Sequence, residues 1–224
     1  MLYEDNHLLA VQKRAGDIVH PDQTGDESIV ERTKQFIKER DDKPGNVFLG
    51  VVHRIDRPVS GVLILAKTSK ALSRLGHQFK ENEVDKVYWA MTKKQLPTTE
   101  GELVNHLGRN KAKNMAYISK KPGAGTRKAK LHYWLIGHLA NMFLWEVKLV
   151  TGRHHQIRAQ FGYEKSPVIG DVKYGYESQN EDLSICLHAK RMILTHPVKK
   201  EPITIEAPLP DSSVWQWFIE FDAK

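Results

Sequence analysis

The chain has 224 residues, 40% hydrophobic and 27% charged, a balance that buries a core and excludes disordered and fibrous classes. Lys and Arg number 34 against 27 Asp and Glu, a formal charge of +7, and the single cysteine, Cys186, excludes an internal disulfide and any cysteine-built zinc cluster. The N-terminal residues hold no apolar signal-peptide core, and no run approaches the roughly 18 apolar residues of a membrane span, so a cytoplasmic protein is expected.

HLLAVQK (7–13) reads as the first strand, and the segment after it turns at Gly16 and ends at Pro21. Ser28 stands where it can cap a helix through IVERTKQFIKER (29–40), whose apolar residues are Ile29, Val30, Phe36 and Ile37. DDKPGN (41–46) is a loop. VLILAKT (62–68) is an apolar run of the kind found at the centre of a sheet. A second helix is expected over 69–84, with Ala71, Leu72, Leu75 and Phe79 on one face. DKVYWAMTK (85–93), NMAYISK (114–120), AKLHYWLI (129–136) and MFLWEVKLV (142–150) read as strands, with PGAG (122–125) as a turn. TGRHHQIRAQFGY (151–163) reads as a turn and then a helix. Strands follow within 185–197 and 203–208, then a short amphipathic helix over 214–221. Strands outnumber helices and connections are short. The expected fold is α+β with a largely antiparallel mixed sheet and flanking helices, as a single domain over 1–224.

Charge is unevenly spread. From Leu103 to Trp145 there is no acid, yet the stretch holds Arg109, Lys111, Lys113, Lys120, Lys121, Arg127, Lys128 and Lys130. One-sign charge of this extent fits a polyanionic partner, RNA or DNA. Several chemistries are excluded. Neither GxGxxG nor GxxxxGK[ST] occurs, so no nucleotide cofactor is expected. No HxxxH or HExxH occurs, and His154 and His155, if helical, would face different ways, so no metal is expected. Ser60 lacks the surroundings of a nucleophile elbow and reads as a turn or capping residue.

HRIDRPVSG (53–61) remains, with one acid, Asp56, between Arg54 and Arg57. Neighbouring cations hold a carboxylate ionised, which suits a nucleophile or base and not a general acid. A structural ion pair at a strand start is the competing reading.

Four further stretches accompany it: YEDNHLLAVQKRAGDIVHP, DKVYWAMT, TGRHHQIR with GDVKYG, and LHAKRMILTHPVKKEPITIEAPLP. In order, and over nearly the whole chain, they resemble the landmark motifs of the RluA-type pseudouridine synthases. That resemblance implies a central RNA-binding cleft and no cofactor. Asp56 matches the catalytic aspartate, and Arg158 the basic residue that pairs with it. Tyr88 matches the aromatic that packs on the flipped uracil, and Arg54 the arginine that enters the RNA stack. Leu187 falls in the segment lining the pocket floor. Arg57, Arg153, His155 and Gln156 complete the expected substrate-binding set. Ile55, Val59, Arg14 and His154 depart from the usual residues of these motifs, and the extra N-terminal RNA-binding module of many relatives has no place before residue 3.

The expected activity is isomerisation of a stem-loop uridine in ribosomal or transfer RNA, with base flipping and an ionised aspartate. A monomer is expected, because no apolar seam is left over. The rival reading is a non-catalytic RNA-binding or RNA-folding protein on the same scaffold. A nucleosidase or glycosidase lacks its second carboxylate.

Overall fold

Seven consecutive residues, Ser60–Ala66, are buried on both faces of their strand. The computed structural model, which describes residues 1–21 and 25–222, is organised around them. The strands are β1 (Tyr3–Glu4), β2 (Leu8–Lys13), β3 (Gly50–Val51), β4 (Ser60–Ala66), β5 (Asp85–Thr92), β6 (Glu100–Asn110), β7 (Met115–Ser119), β8 (Arg127–Leu139), β9 (Met142–Leu149), β10 (Leu187–Thr195) and β11 (Pro202–Glu206). The helices are α1 (Ile29–Arg40), α2 (Ser69–Lys80), α3 (Gln156–Tyr163) and two short C-terminal ones, α4 (Ser213–Gln216) and α5 (Ile219–Asp222). The expected α+β class is the one observed.

One sheet runs β1-β2-β4-β10-β5-β9-β8-β6-β7, with β3 paired to β4 and β11 to β10. Among the described residues every pairing is antiparallel except β4 with β10. The alternation along β4 explains the flanking helices. Val62, Ile64 and Ala66 pack with Ala71 and Leu75 of α2. Leu63 and Leu65 point the other way, against Ile29, Val30 and Ile37 of α1. Both helices start at side-chain caps: the Ser28 hydroxyl accepts from the Glu31 N–H and Thr68 from the Ala71 N–H. Phe36, expected on the apolar face of α1, is exposed under the Arg40 guanidinium, and Thr33 takes the buried place with its hydroxyl bonded to the Ile29 carbonyl. Helix α2 ends at Lys80, short of residue 84, because Asn82 takes a left-handed conformation.

Strand β6 was not expected from the sequence. Of its eleven residues only Leu103, Leu107 and Gly108 are buried, so the period-2 signal is absent. Its existence rests on the eight-residue ladder with β8. The expected C-terminal helix is two four-residue turns.

The parallel join of β4 to β10 pairs Ser60 with His188 and Gly61 with Ala189. Gly61 has φ +121°, and a Cβ there would lie 2.3 Å from the Ala189 carbonyl oxygen. Only glycine permits that approach. Ser60 is neither a cap nor a surface turn residue; its hydroxyl is buried, 2.8 Å from His188 Nδ1. Gly61→Ala is therefore expected to cost about 3 kcal/mol, lowering the melting temperature by roughly 6–12 °C. A calorimetric midpoint within 2 °C of wild type would show that the join tolerates separation.

Candidate active site

Asp56 lies in the loop between β3 and β4, and that loop is tied down from both sides. The Val59 N–H closes a turn on the Asp56 carbonyl at 3.0 Å. The fully buried Lys13 ammonium donates to the carbonyls of Arg14, Arg57 and Val59 at 2.8–3.1 Å. Burial, only partly offset by Asp17 and Asp56, pulls the Lys13 pKa down to about 8. The Gly16 N–H donates to the Arg57 carbonyl and the Ile185 N–H to the Pro58 carbonyl. At the loop entry His53 Nε2 accepts the Ile64 N–H at 2.9 Å, and burial pushes that imidazole down to about 3, so it is neutral.

The cation beside Asp56 is neither of its sequence neighbours. Arg57 pairs with Asp26, and Arg54 is exposed. Arg158, on α3, donates from Nη1 to Asp56 Oδ2 at 3.2 Å. Its Nε and Nη2 grip both oxygens of Asp171 at 2.7 and 2.8 Å. Arg158 and Asp171 are buried, 5% and 1% exposed. Burial alone would lower the Arg158 pKa; Asp171, then Asp56, outweigh it and raise it. The fork geometry of a bidentate Arg–carboxylate pair thus fixes the guanidinium plane with Nη1 turned to Asp56.

His155 touches the same carboxylate. Its Nε2 is 3.4 Å from Asp56 Oδ2, and its Nδ1 is 2.8 Å from the Tyr174 hydroxyl. Burial pushes His155 down to about 3 despite Asp56, so the imidazole is neutral. The Tyr174 oxygen already accepts the Ala116 N–H at 2.7 Å. The proton arrangement that satisfies all three groups has Tyr174 donating to Nδ1 and Nε2–H facing Asp56. His154 and His155 precede α3 instead of lying on it. His155 has φ 49°, and the two rings stack with centroids 3.7 Å apart. The expectation that they face different ways fails because that expectation presumed helical geometry.

Two clefts, of about 430 and about 690 Å³, share Arg54, Ile55, Asp56, His155 and Arg158 in their walls. Tyr88 and Leu187, both buried, line the larger one. Burial, then the Asp56 charge, push the Tyr88 phenol up, so it stays protonated. The larger cleft carries seven basic side chains, Arg54, Lys80, Lys86, Arg109, Arg127, Arg153 and Arg158, and one acid, Asp56. That imbalance is the setting for a polyanion. Arg153 is half-buried, with its Nε on the Lys128 carbonyl. Gln156 is buried and its amide is used internally: Oε1 accepts from the Thr151 hydroxyl and the Arg153 N–H, and Nε2 donates to the Lys130 carbonyl. It organises the turn. The structure thus brings Asp56, Arg158, His155, Tyr88, Leu187, Arg54 and Arg153 around one space, with Arg57 on the smaller cleft only.

Asp171 and Tyr174 were missed as site residues, although GDVKYG stood out in the sequence. An acid spaced thirteen residues from Arg158 gives no local signal; only the return of the chain after α3 brings them together. Asp171→Asn leaves a buried guanidinium with one anion, sets an amide NH2 against one of its N–H donors, and is expected to destabilise the protein by about 3–5 kcal/mol. Urea denaturation at pH 7 measures this, and an unchanged midpoint would mean Arg158 is held otherwise.

Residues 7–163 match the family model described as RNA pseudouridylate synthase. The chain is 32% identical over 225 residues to ribosomal large subunit pseudouridine synthase D of Xanthomonas campestris pv. campestris, covering 94% of this chain and 66% of that protein. It is 28% identical to tRNA pseudouridine synthase C of Pectobacterium carotovorum subsp. carotovorum, over 92% of this chain and 58% of that one. The chain thus spans about two thirds of those relatives' length or less. The solved structure of human RNA pseudouridylate synthase domain containing 4 superimposes with a TM-score of 0.78 at 20% identity, covering 98% of this chain and 90% of that one. On the family match and the relatives together, the chain belongs to the RNA pseudouridylate synthase family.

Proposed function

We propose that this chain is an RNA pseudouridine synthase that isomerises a stem-loop uridine of ribosomal or transfer RNA. The observation that carries the reading is the Asp56 carboxylate held by Arg158 at 3.2 Å, in a cleft lined by seven cations and Tyr88. The names of the two relatives, one for ribosomal and one for transfer RNA, support both substrate classes. One continuous sheet supports a single catalytic domain over 1–224. A cytoplasmic monomer goes with the reading. No helix among the described residues is long and apolar enough to cross a membrane.

The chemistry follows from the residue types. A stacked base is out of reach, so the target uridine leaves the stack, at a cost of a few kcal/mol. Arg54, exposed and on the wall of both clefts, supplies a planar cation to fill the gap and meet phosphate. The extruded uracil lies on the face of Tyr88, over Leu187. Ionised Asp56 either attacks C1′ or removes the 2′ proton. In both routes the C1′–N1 bond breaks, the uracil turns, and a C1′–C5 bond forms; the Asp56–C1′ bond of the first route then breaks, and in the second Asp56 returns the proton to C2′. C5 loses its proton and N1 gains one, so no electrons are gained or lost and no cofactor is consumed. Arg158 keeps Asp56 charged and oriented, and neutral His155 adds a hydrogen bond with no second positive charge.

The decisive measurement is a pseudouridine map of ribosomal and transfer RNA from cells lacking the protein, complemented with wild type or Asp56→Asn. One or a few sites should vanish, return with wild type and stay absent with Asp56→Asn. Restoration by Asp56→Asn would remove Asp56 from the chemistry, and an unchanged map would refute both substrate classes.

The acid-free block meets the cleft through Arg109 and Arg127, while Lys111, Lys113, Lys120 and Lys121 are exposed outside it. Replacing Arg109 and Arg127 by Gln should flatten the dependence of log affinity on log salt by about 0.7–0.9 per lost phosphate contact. Equal slopes in filter binding would show that these arginines do not touch RNA phosphates.

A further inference from the structure

The loop that supplies His155 also supplies His154, whose Nε2 is buried and has no hydrogen-bond partner among the described residues. One donor atom from each of Asp56, His154 and His155 lies within 4.8 Å of the others. We propose that these three residues form a site for a late-transition divalent cation of the Zn²⁺ class, and that the ion and the RNA substrate exclude each other.

The donor set decides the class of ion. Two imidazoles and one carboxylate suit Zn²⁺, Co²⁺, Ni²⁺ or Cu²⁺, whereas Mg²⁺ and Ca²⁺ call for oxygen ligands. Three protein ligands with a fourth position open to water is a common arrangement for zinc. Donors around a tetrahedral zinc lie about 3.3 Å apart, from Zn–N bonds of about 2.0–2.1 Å. No pair must therefore close by more than about 1.5 Å, within reach of side-chain rotation. His155 is prepared for the role. The Tyr174 hydroxyl, 2.8 Å from Nδ1, can accept as well as donate, so the imidazole can move its proton to Nδ1 and turn a bare Nε2 to the ion. A ligating histidine whose other nitrogen is held in this way has its orientation fixed. The left-handed backbone at His155 puts the two rings on one side, stacked at 3.7 Å; no HxxxH spacing is needed. Arg54, Arg109 and Arg158 beside the site oppose a cation, so the ion binds reversibly, not as a structural zinc.

That the ion inhibits rests on the reading of Asp56 above, since ligation occupies the carboxylate needed for isomerisation. Binding itself does not rest on it. The first readout is therefore spectroscopic: untagged protein, freed of metal with EDTA and dialysed, is titrated with Co²⁺ and followed by its visible d–d bands. Wild type should bind one Co²⁺ per chain, with Zn²⁺ displacing it. His154→Thr and Asp56→Asn should each weaken binding by about tenfold or more. Circular dichroism and denaturation midpoints confirm that both variants are folded. With RNA, Zn²⁺ should inhibit isomerisation, EDTA should reverse it, and His154→Thr, measured relative to its own rate in EDTA, should resist it. No Co²⁺ spectrum at millimolar ion, or equal affinity in folded His154→Thr, overturns the site. A Co²⁺ spectrum without inhibition overturns ligation by Asp56. Absence of isomerase activity with the spectrum intact refutes the pseudouridine reading alone.

Discussion

A buried arginine that must satisfy two acids governs this site. Arg158 is 5% exposed and cannot give up its charge. Its Nε and Nη2 are used by Asp171, which is itself 1% exposed. A third bond, from Nη1, runs to Asp56, which is less buried and faces the clefts. The division has a physical logic. The buried acid meets most of the desolvation cost of the guanidinium, and the fork geometry fixes its plane. Asp56 then receives an oriented cation without being locked into a full bidentate pair, so it keeps capacity for chemistry.

The scaffold has to bring that arginine to a loop 102 residues away. Helix α3 carries it, seated by Ala159 on Leu107 and Ala116, while β10 fixes the loop it reaches. Strand β10 pairs with β4, which follows the Asp56 loop, and with β5, which carries Tyr88. The Ile185 N–H reaches the Pro58 carbonyl just before β10 begins, and Leu187 opens the strand at the cleft wall. The last three residues of HRIDRPVSG therefore have separate tasks, two of them against that strand. Val59 turns the chain, Ser60 bonds buried His188, and Gly61 allows backbone contact with Ala189. The punctuation after Asp56 fixes where the carboxylate sits; the charge environment comes from elsewhere in the chain.

The divide between what could be read in the sequence and what could not follows the range of the interaction. Local signals were sufficient for α1 and α2, each opened by a hydroxyl cap, and for β4, where seven apolar or small residues in a row leave no exposed face. The motif resemblance brought Asp56, Tyr88, Arg158 and Leu187 together before any coordinates did. Non-local features were hidden. Strand β6 is mostly exposed and exists by pairing with β8. Asp171 has no role until α3 and the chain after it fold back. Phe36 fits the helical apolar pattern yet is exposed, because Thr33 satisfies its own hydroxyl inside the helix and fits the available space. The His154–His155 pair was misread for a local reason, since a single left-handed residue cancels the facing rule for neighbours on a helix.

Neutrality of His155 is what lets one arginine control Asp56. A carboxylate 3.4 Å away ordinarily favours protonation of an imidazole. Here burial wins, and Arg158, His154 and Lys173 act in the same direction, bringing the imidazole down to about 3. A protonated His155 would make a second ion pair with Asp56 and share the carboxylate between two cations. The neutral ring instead gives one N–H, oriented through Tyr174 by the Ala116 backbone at the start of β7. The basic ribbon β6–β7 is thereby joined to the acid by a chain of hydrogen bonds. The same ribbon also packs on α3 beside Arg158, through Leu107 and Ala116 against Ala159, so both groups that touch Asp56 rest on it.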